Sequence, residues 1–174
     1  MDFDVLDTLL APLDGLHMRA DTRLIHVPGF ARVEAPSAPE SWRNEFVQVN
    51  ATGWDHQTPF VDRLLADLQW SLETGTHRMF LARIDGEPVG MSAWVPRHRG
   101  PGYLSGGMVL PAFRGRGVYR ALIQARFDDM AALGQGRAVT LSRAHTSGPI
   151  LSGLGLTPLF RYPIFELPAP GDSG

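Results

Sequence analysis

Arg114, Gly115, Arg116 and Gly117 follow one another where the apolar run "GYLSGGMVLP" gives way to a helical pattern, "VYRALIQARFDDMAAL". Such a helix start attracts anions, because its first N–H groups have no internal acceptor and the aligned peptide dipoles leave partial positive charge there. Two glycines remove the Cβ atoms that would hold a phosphate off those amides, and two guanidiniums add charge that deprotonation cannot remove. A pyrophosphate is the natural guest. The dinucleotide fingerprint GxGxxG is not met, since its third glycine would fall on Arg120. Taken alone, the run is equally consistent with a plain turn between solvated arginines.

Other chemistries are narrowed by what the chain lacks. It has no Cys, which removes disulfides, thiolate metal sites and thiol nucleophiles. All 16 basic residues other than His are Arg, so a Schiff-base lysine and the P-loop lysine are excluded. His17, His26, His56, His77 and His98 show no HxH, HxxxH or HExxH spacing, and no metal site is expected. No GxSxG nucleophile elbow occurs. Trp42, Trp54, Trp70 and Trp94 are candidates either to line an acceptor pocket or to pack the core.

Charge is distributed unevenly. The net charge is −2, which argues against a nucleic-acid partner. Yet from Pro88 to Phe127 there is no acidic residue, while Arg97, Arg99, Arg114, Arg116, Arg120 and Arg126 fall inside that window. The N-terminus is acidic where a signal peptide would be basic, and no apolar run reaches membrane-spanning length, so the expectation is a cytoplasmic protein with no membrane partner.

The elements that must position the arginine-glycine run follow from periodicity. A short helix is expected before Pro12, two short strands in "TRLIHVPGFARVEAP", and a third where Val47, Gln48 and Val49 alternate in "NEFVQVNAT". Thr58-Pro59 opens a helix with Val61, Leu64, Leu65, Leu68 and Leu72 on one face. Asp85-Gly86 joins two apolar runs as a hairpin, and the strand after it carries Gly106-Gly107, a pair that marks a bulge or a close approach. The next helix has Tyr119, Leu122, Ile123, Phe127, Met130 and Ala131 as its apolar face and Arg120, Gln124 and Asp128 as its wet one, and ends at Gly134 and Gly136. A strand "AVTLSRA", a short helix capped by Ser147 and a closing strand "LFRYPIFEL" complete an α/β or α+β arrangement.

Three stretches in order resemble one family. "GGMVLPAFRGRGVYRAL" resembles motif A of the GNAT-type N-acetyltransferases, a strand ending in V-x-P followed by [QR]-x-x-G-x-[GA] entering a helix; Arg114 takes the first position of the bracketed motif and Gly117 the fourth. "DGEPVG" looks like the hairpin that precedes the family's central strand, and "GLGLTPLFRYPIFEL" like its "LGF" segment and closing strand. The resemblance runs from about Phe80 to Leu167. Length and an apolar fraction of 44% fit one domain over 1–167, and "PAPGDSG" makes 168–174 a flexible tail; the resemblance implies 1–75 as a variable acceptor-side part and 80–167 as the CoA-binding core. It implies a mixed, mostly antiparallel sheet flanked by helices, with a splay between two parallel strands. Acetyl-CoA or another acyl-CoA would be the co-substrate. Strand amides of Gly107, Met108 and Val109 would pair with pantetheine. The diphosphate would rest on the amides of Gly115, Arg116, Gly117, Val118, Tyr119 and Arg120, with Arg114 and Arg116 near the phosphates or the adenosine 3′-phosphate. The acyl group would pass directly to an amine of a small molecule or peptide, and a homodimer is compatible with the reading.

Two residues depart from the pattern. Tyr119 stands where the motif has Gly or Ala, and the tyrosine that family members use as general acid falls on Leu151. For proton transfer the remaining candidates are His145, just after the strand expected to flank the cofactor, and Tyr162 in the closing strand, with Ser105 a candidate to order a water. The missing acid raises the alternative of an acyl-CoA-binding sensor or interaction module.

Overall fold

Asp85 and Gly86 take φ of 51° and 85°, the left-handed pair that a two-residue hairpin needs to match the twist of its strands. The hairpin they close, β3 (Arg78–Ile84) and β4 (Glu87–Val95), is central to the larger of two units into which the chain divides, Asp21–Val139; the other combines Met1–Ala20 with Thr140–Gly174. The computed structural model describes residues 13–21, 32–34, 40–54 and 58–164. The expected helix before Pro12, most of the segment read as two early strands, and the tail after 167 lie outside them.

In the larger unit β2 (Arg32–Glu34), β3, β4 and β5 (Gly102–Val109) form an antiparallel run in that order. Alternate side chains face opposite sides. Met79, Leu81, Met91, Ala93 and Met108 form one cluster with Trp42, Phe46, Val47 and Val49 of helix α1 (Glu40–Trp54) and Leu68 of α2 (Thr58–Thr74). The opposite face receives α3 (Val118–Ala132). Burying a side chain such as Leu122 or Phe127 there contributes about 1.5–3 kcal/mol.

Helix α1 corrects the strand expected over "NEFVQVNAT". Three alternating residues cannot establish a period of two, whereas Trp42, Phe46 and Val49 recur at helical spacing and are all buried. Trp42 stacks on Phe46 with ring centroids 5.3 Å apart. Near its end α1 passes so close to β5 that a Cβ on Gly53 would lie 1.9 Å from Met108 Sδ. Helix α2 begins at Thr58-Pro59 as expected.

Helix α3 approaches the sheet over backbone. A Cβ on Gly90 would come within 3.1 Å of Val118, one on Gly102 within 2.5 Å of Met130, and one on Gly107 within 3.2 Å of Tyr119. Its buried stripe is Val118, Ala121, Leu122, Ile123, Arg126, Phe127 and Met130. Ala131, expected on that stripe, is exposed, and Arg126, one of the arginines of the acid-free window, is buried. The helix ends as the glycines suggested: Gly134 (φ 73°) donates to Ala131 and Gln135 to Met130, a Schellman closure. Asp129 ties α3 to the hairpin, its carboxylate accepting both Nε and Nη2 of Arg78 and, at 2.7 Å, the indole N–H of Trp94.

In the smaller unit β1 (Leu13–Asp21) pairs antiparallel with β7 (Thr157–Ile164), from Leu13 opposite Ile164 to Arg19 opposite Thr157. Strand β6 (Arg137–Arg143), which enters this unit at Thr140, leads into helix α4 (Ser147–Gly153). Ser147 is not the cap: Thr146 holds that position, and the Ser147 hydroxyl, one residue inside, accepts the Arg143 N–H at 3.0 Å. Among the described residues no helix is long and apolar enough to cross a membrane.

Candidate functional site

The arginine-glycine run forms a tight entry to α3. After β5, Leu110 donates to Val89 at 2.9 Å and the chain makes a short 3₁₀ turn, Pro111–Phe113. Gly115 and Gly117 then both adopt left-handed φ, 76° and 80°. Gly117 is the N-cap and has no side-chain capping bond. The first helical hydrogen bond runs from Ala121 N–H to Gly117 C=O at 3.0 Å, so the amides of Val118, Tyr119 and Arg120 have no intrahelical acceptor. A Cβ on Gly115 would meet nothing within 4 Å, so the approach to this turn is open. Arg114 donates Nε to Val109 C=O at 3.1 Å, and the Arg116 guanidinium lies 5.5 Å from the Phe113 ring centroid. Both side chains, with Arg120, are exposed around the glycines.

The neighbouring stretch of β5 is bulged. Ser92 of β4 faces Gly107 and Ala93 faces Ser105, so Gly106, at φ 54°, is the extra residue. The ladder also fixes where the β5 amides point. Leu110 and Val89 are a hydrogen-bonded pair; counting back through Val109–Gly90, Met108–Met91 and Gly107–Ser92, such pairs alternate with unbonded ones. Met108 therefore spends its N–H on β4, while Gly107 and Val109 turn theirs to the side away from β4. Of the three strand amides named from sequence, the geometry separates two from one.

Behind the bulge lies one of the six arginines of the acid-free window. Arg126, 2% exposed, donates Nε to Leu122 C=O at 3.2 Å and Nη1 to the carbonyls of Ala93 at 3.2 Å and Gly106 at 3.0 Å. Burial lowers its pKa, opposed by its charge interaction and hydrogen bond with Tyr119. Tyr119 is half-buried against Gly107, so the side chain that departs from the motif finds its room inside the larger unit. Ser92, opposite Gly107, is fully buried with no partner for its hydroxyl. The signal for Arg126 was in the helix period: it follows Tyr119 by two turns and Leu122 by one, on the apolar stripe.

The proton-transfer candidates both belong to the smaller unit. His145 is exposed in the turn between β6 and α4, and Tyr162 is half-buried on β7, edge-on to Phe160 with centroids 6.5 Å apart. Leu151 is 1% exposed and has a packing role: Leu156 N–H donates to its carbonyl and Gly155 N–H to Ser152, a second Schellman closure with both leucines buried. A cavity of about 410 Å³ in this unit is lined by Gly148, Pro149, Ser152, Leu159, Phe160 and Arg161 among others. Trp42 and Trp94 are core residues, while Trp54 and Trp70 are exposed. Among the described residues no group of three or more His, Asp or Glu is placed to hold a metal ion.

Known proteins share this architecture. A conserved protein of unknown function from Staphylococcus epidermidis superposes with a TM-score of 0.69 at 10% identity, covering 85% of this chain and 58% of its own. An aminoglycoside 6'-N-acetyltransferase from Acinetobacter haemolyticus gives 0.64 at 17%, covering 80% and 99%. The aminoglycoside N-acetyltransferase AAC(6')-Iy in complex with CoA gives 0.63 at 22%, covering 83% and 99%. These likenesses are of fold, and the chain spans little more than half the length of the first. No curated protein matches the sequence. The family model of the acetyltransferase (GNAT) family matches residues 39–147, which take in α1, the hairpin, the bulged strand and the whole arginine-glycine turn, and the chain belongs to that family.

Proposed function

We propose that the protein transfers an acyl group, acetyl first among candidates, from acyl-CoA to an amine by direct attack. The observation that carries the reading is the succession, within thirteen residues of one unit, of a bulged strand and an uncapped left-handed glycine turn. The residues present fit the cofactor. Amides of Gly115 through Arg120 are disposed to cradle a diphosphate, with Arg114, Arg116 and Arg120 supplying charge around it. The outward N–H groups of Gly107 and Val109 suit the acceptors of a pantetheine chain, and Met108 contributes side-chain packing instead. When bound, the thioester supplies an activated acyl group.

For the chemistry, Gly107 N–H is the proposed donor to the acyl oxygen, a preorganised dipole of the kind that contributes most to acyl-transfer catalysis. His145 and Tyr162 are proposed to handle the protons of the amine and the departing thiol. The acceptor is an amine on a small molecule or peptide, and the aminoglycoside enzymes of similar fold make an aminoglycoside the first to try. The second reading, an acyl-CoA-binding module without turnover, is favoured by one observation: Leu151 is locked into the α4 closure where family members carry an acid.

Thermal shift with CoA and acetyl-CoA tests the shared part, since a ligand held by the native state alone raises the melting temperature by mass action. No shift with either at millimolar concentration refutes both readings. Thiol release against a panel of aminoglycosides, polyamines and peptide amines separates them: release with any member supports transfer, and binding with no release across the panel supports the module.

A further inference from the structure

The proposed acyl-CoA reading leaves Arg126 without a role, and its placement is costly. A guanidinium taken out of water loses its hydration, and an apolar side chain would fill the same stripe of α3 without that loss. Its hydrogen-bond partners are the carbonyls of Leu122, Ala93 and Gly106, and none is a carboxylate. Two of those carbonyls flank the break in the ladder. Ala93 is the β4 residue at which the register shifts, Gly106 is the extra residue of β5, and one nitrogen, Nη1, donates to both.

A peptide plane ties that contact to the other side of the strand. No peptide bond among those described is cis, so the C=O of Gly106 and the N–H of Gly107 point in opposite directions across one rigid unit. Drawing the carbonyl toward Arg126 turns the N–H away from it. The ladder independently turns the same N–H away from β4. A cation on the carbonyl also polarises the peptide, which makes its N–H a stronger donor.

We infer that Arg126 is a positioning residue for acyl transfer: through the Gly106 carbonyl it fixes and polarises the Gly107 N–H as the donor to the acyl oxygen. Tyr119 is the second part of the device. Its ring packs on Gly107 and its phenol favours the Arg126 charge, so the bulky residue in the motif and the buried cation account for each other. The inference rests on the acyl-CoA reading, but its first test does not.

In ligand-free protein labelled with ¹⁵N, Arg126→Met should move the Gly107 amide proton upfield, with Arg126→Lys in between; an unmoved resonance in a folded variant overturns the inference whatever the protein binds. With acetyl-CoA carrying a ¹³C carbonyl, the infrared band of the thioester should shift to lower frequency on binding wild type. Most of that shift should be lost in Arg126→Met, while affinity for CoA, which has no acyl oxygen, stays within about threefold. Where an amine is found, kcat should fall by about 10- to 100-fold with KM for acetyl-CoA little changed, a fraction of what loss of a whole oxyanion donor produces. If Arg126→Met fails to fold, Arg126→Lys and Gly106→Ala carry the test. The latter leaves the cation in place but strains a left-handed position whose Cβ has open space, so it should weaken the band shift without filling the site. Wild-type binding with no band shift, or an equal shift in the variants, overturns the inference alone; no binding of CoA or acetyl-CoA by wild type overturns the acyl-CoA reading and this one together.

Discussion

Replacing Asp129 by Ala should be among the most damaging single changes on α3. The carboxylate is 16% exposed and serves two partners, Arg78 through both Nε and Nη2, and Trp94 through its indole N–H at 2.7 Å. Trp94 is fully buried, so its N–H would be left without an acceptor, at about 1–3 kcal/mol. The Arg78 side chain is 41% exposed, so its half of the loss is screened by water and comes to about 1 kcal/mol. Together the change should cost about 2–4 kcal/mol. For a chain of this size that lowers Tm by roughly 5–15 °C. Asp129→Asn keeps an oxygen for the indole and should cost about half as much. Urea unfolding should show a lower midpoint with an unchanged slope, and a double-mutant cycle with Trp94→Phe should return a coupling of about 1 kcal/mol or more. A cost under about 0.5 kcal/mol for Asp129→Ala, or equal costs for Ala and Asn, would refute the assignment of this carboxylate as the tie between helix and hairpin.

Three other perturbations test separate parts of the structure. Gly117→Glu places a side chain at φ 80° and a negative charge at the helix start, so it should abolish CoA-induced stabilisation; Gly117→Ala, with the strain but no charge, should retain part of it in the same thermal-shift assay. Gly53→Ala should be destabilising by about 1–3 kcal/mol, because its Cβ would overlap Met108, and the double variant Gly53→Ala/Met108→Ala should cost less on urea unfolding than the two single changes summed. His77, whose Nδ1 lies 3.3 Å from Ser71 Oγ, has its pKa lowered by burial from its ordinary 6.5. The unfolded chain therefore takes up the proton first as pH falls, so this contribution to stability is full above 6.5 and is lost as pH drops toward the folded value. His77→Gln should flatten that part of the profile in unfolding titrations, and an unchanged slope would count against the burial argument.

What could be read from sequence was what backbone chemistry dictates locally. Asp85-Gly86 admits few alternatives to a hairpin, Thr58-Pro59 opens a helix, and Gly106-Gly107 signalled the bulge because glycine takes the left-handed φ without strain and leaves room for the tyrosine ring at the next position. What escaped depended on tertiary surroundings. The strand reading of Val47-Gln48-Val49 failed because Trp42 and Phe46, just outside the alternating window, are what hold that segment as a helix. Arg126 was read by its charge rather than by its place in the helix period, and only the bulge carbonyls explain how a cation is tolerated there. The direction of the Gly107, Met108 and Val109 amides required the register against β4, which no single-strand pattern contains.

That register makes β5 a measuring device. Outward amides recur every second residue, about 7 Å apart along an antiparallel strand, so a guest chain bonding to Val109 finds its next donor at Gly107 and nowhere between. At Gly106 the regular alternation is interrupted, because this extra residue has no single partner on β4. Between the bulge and its end the strand thus presents two outward amides, those of Gly107 and Val109. A guest anchored by its anionic end at the glycine turn would have its far end set by that count, and sliding it by one residue would exchange an outward donor for an N–H already bound to β4.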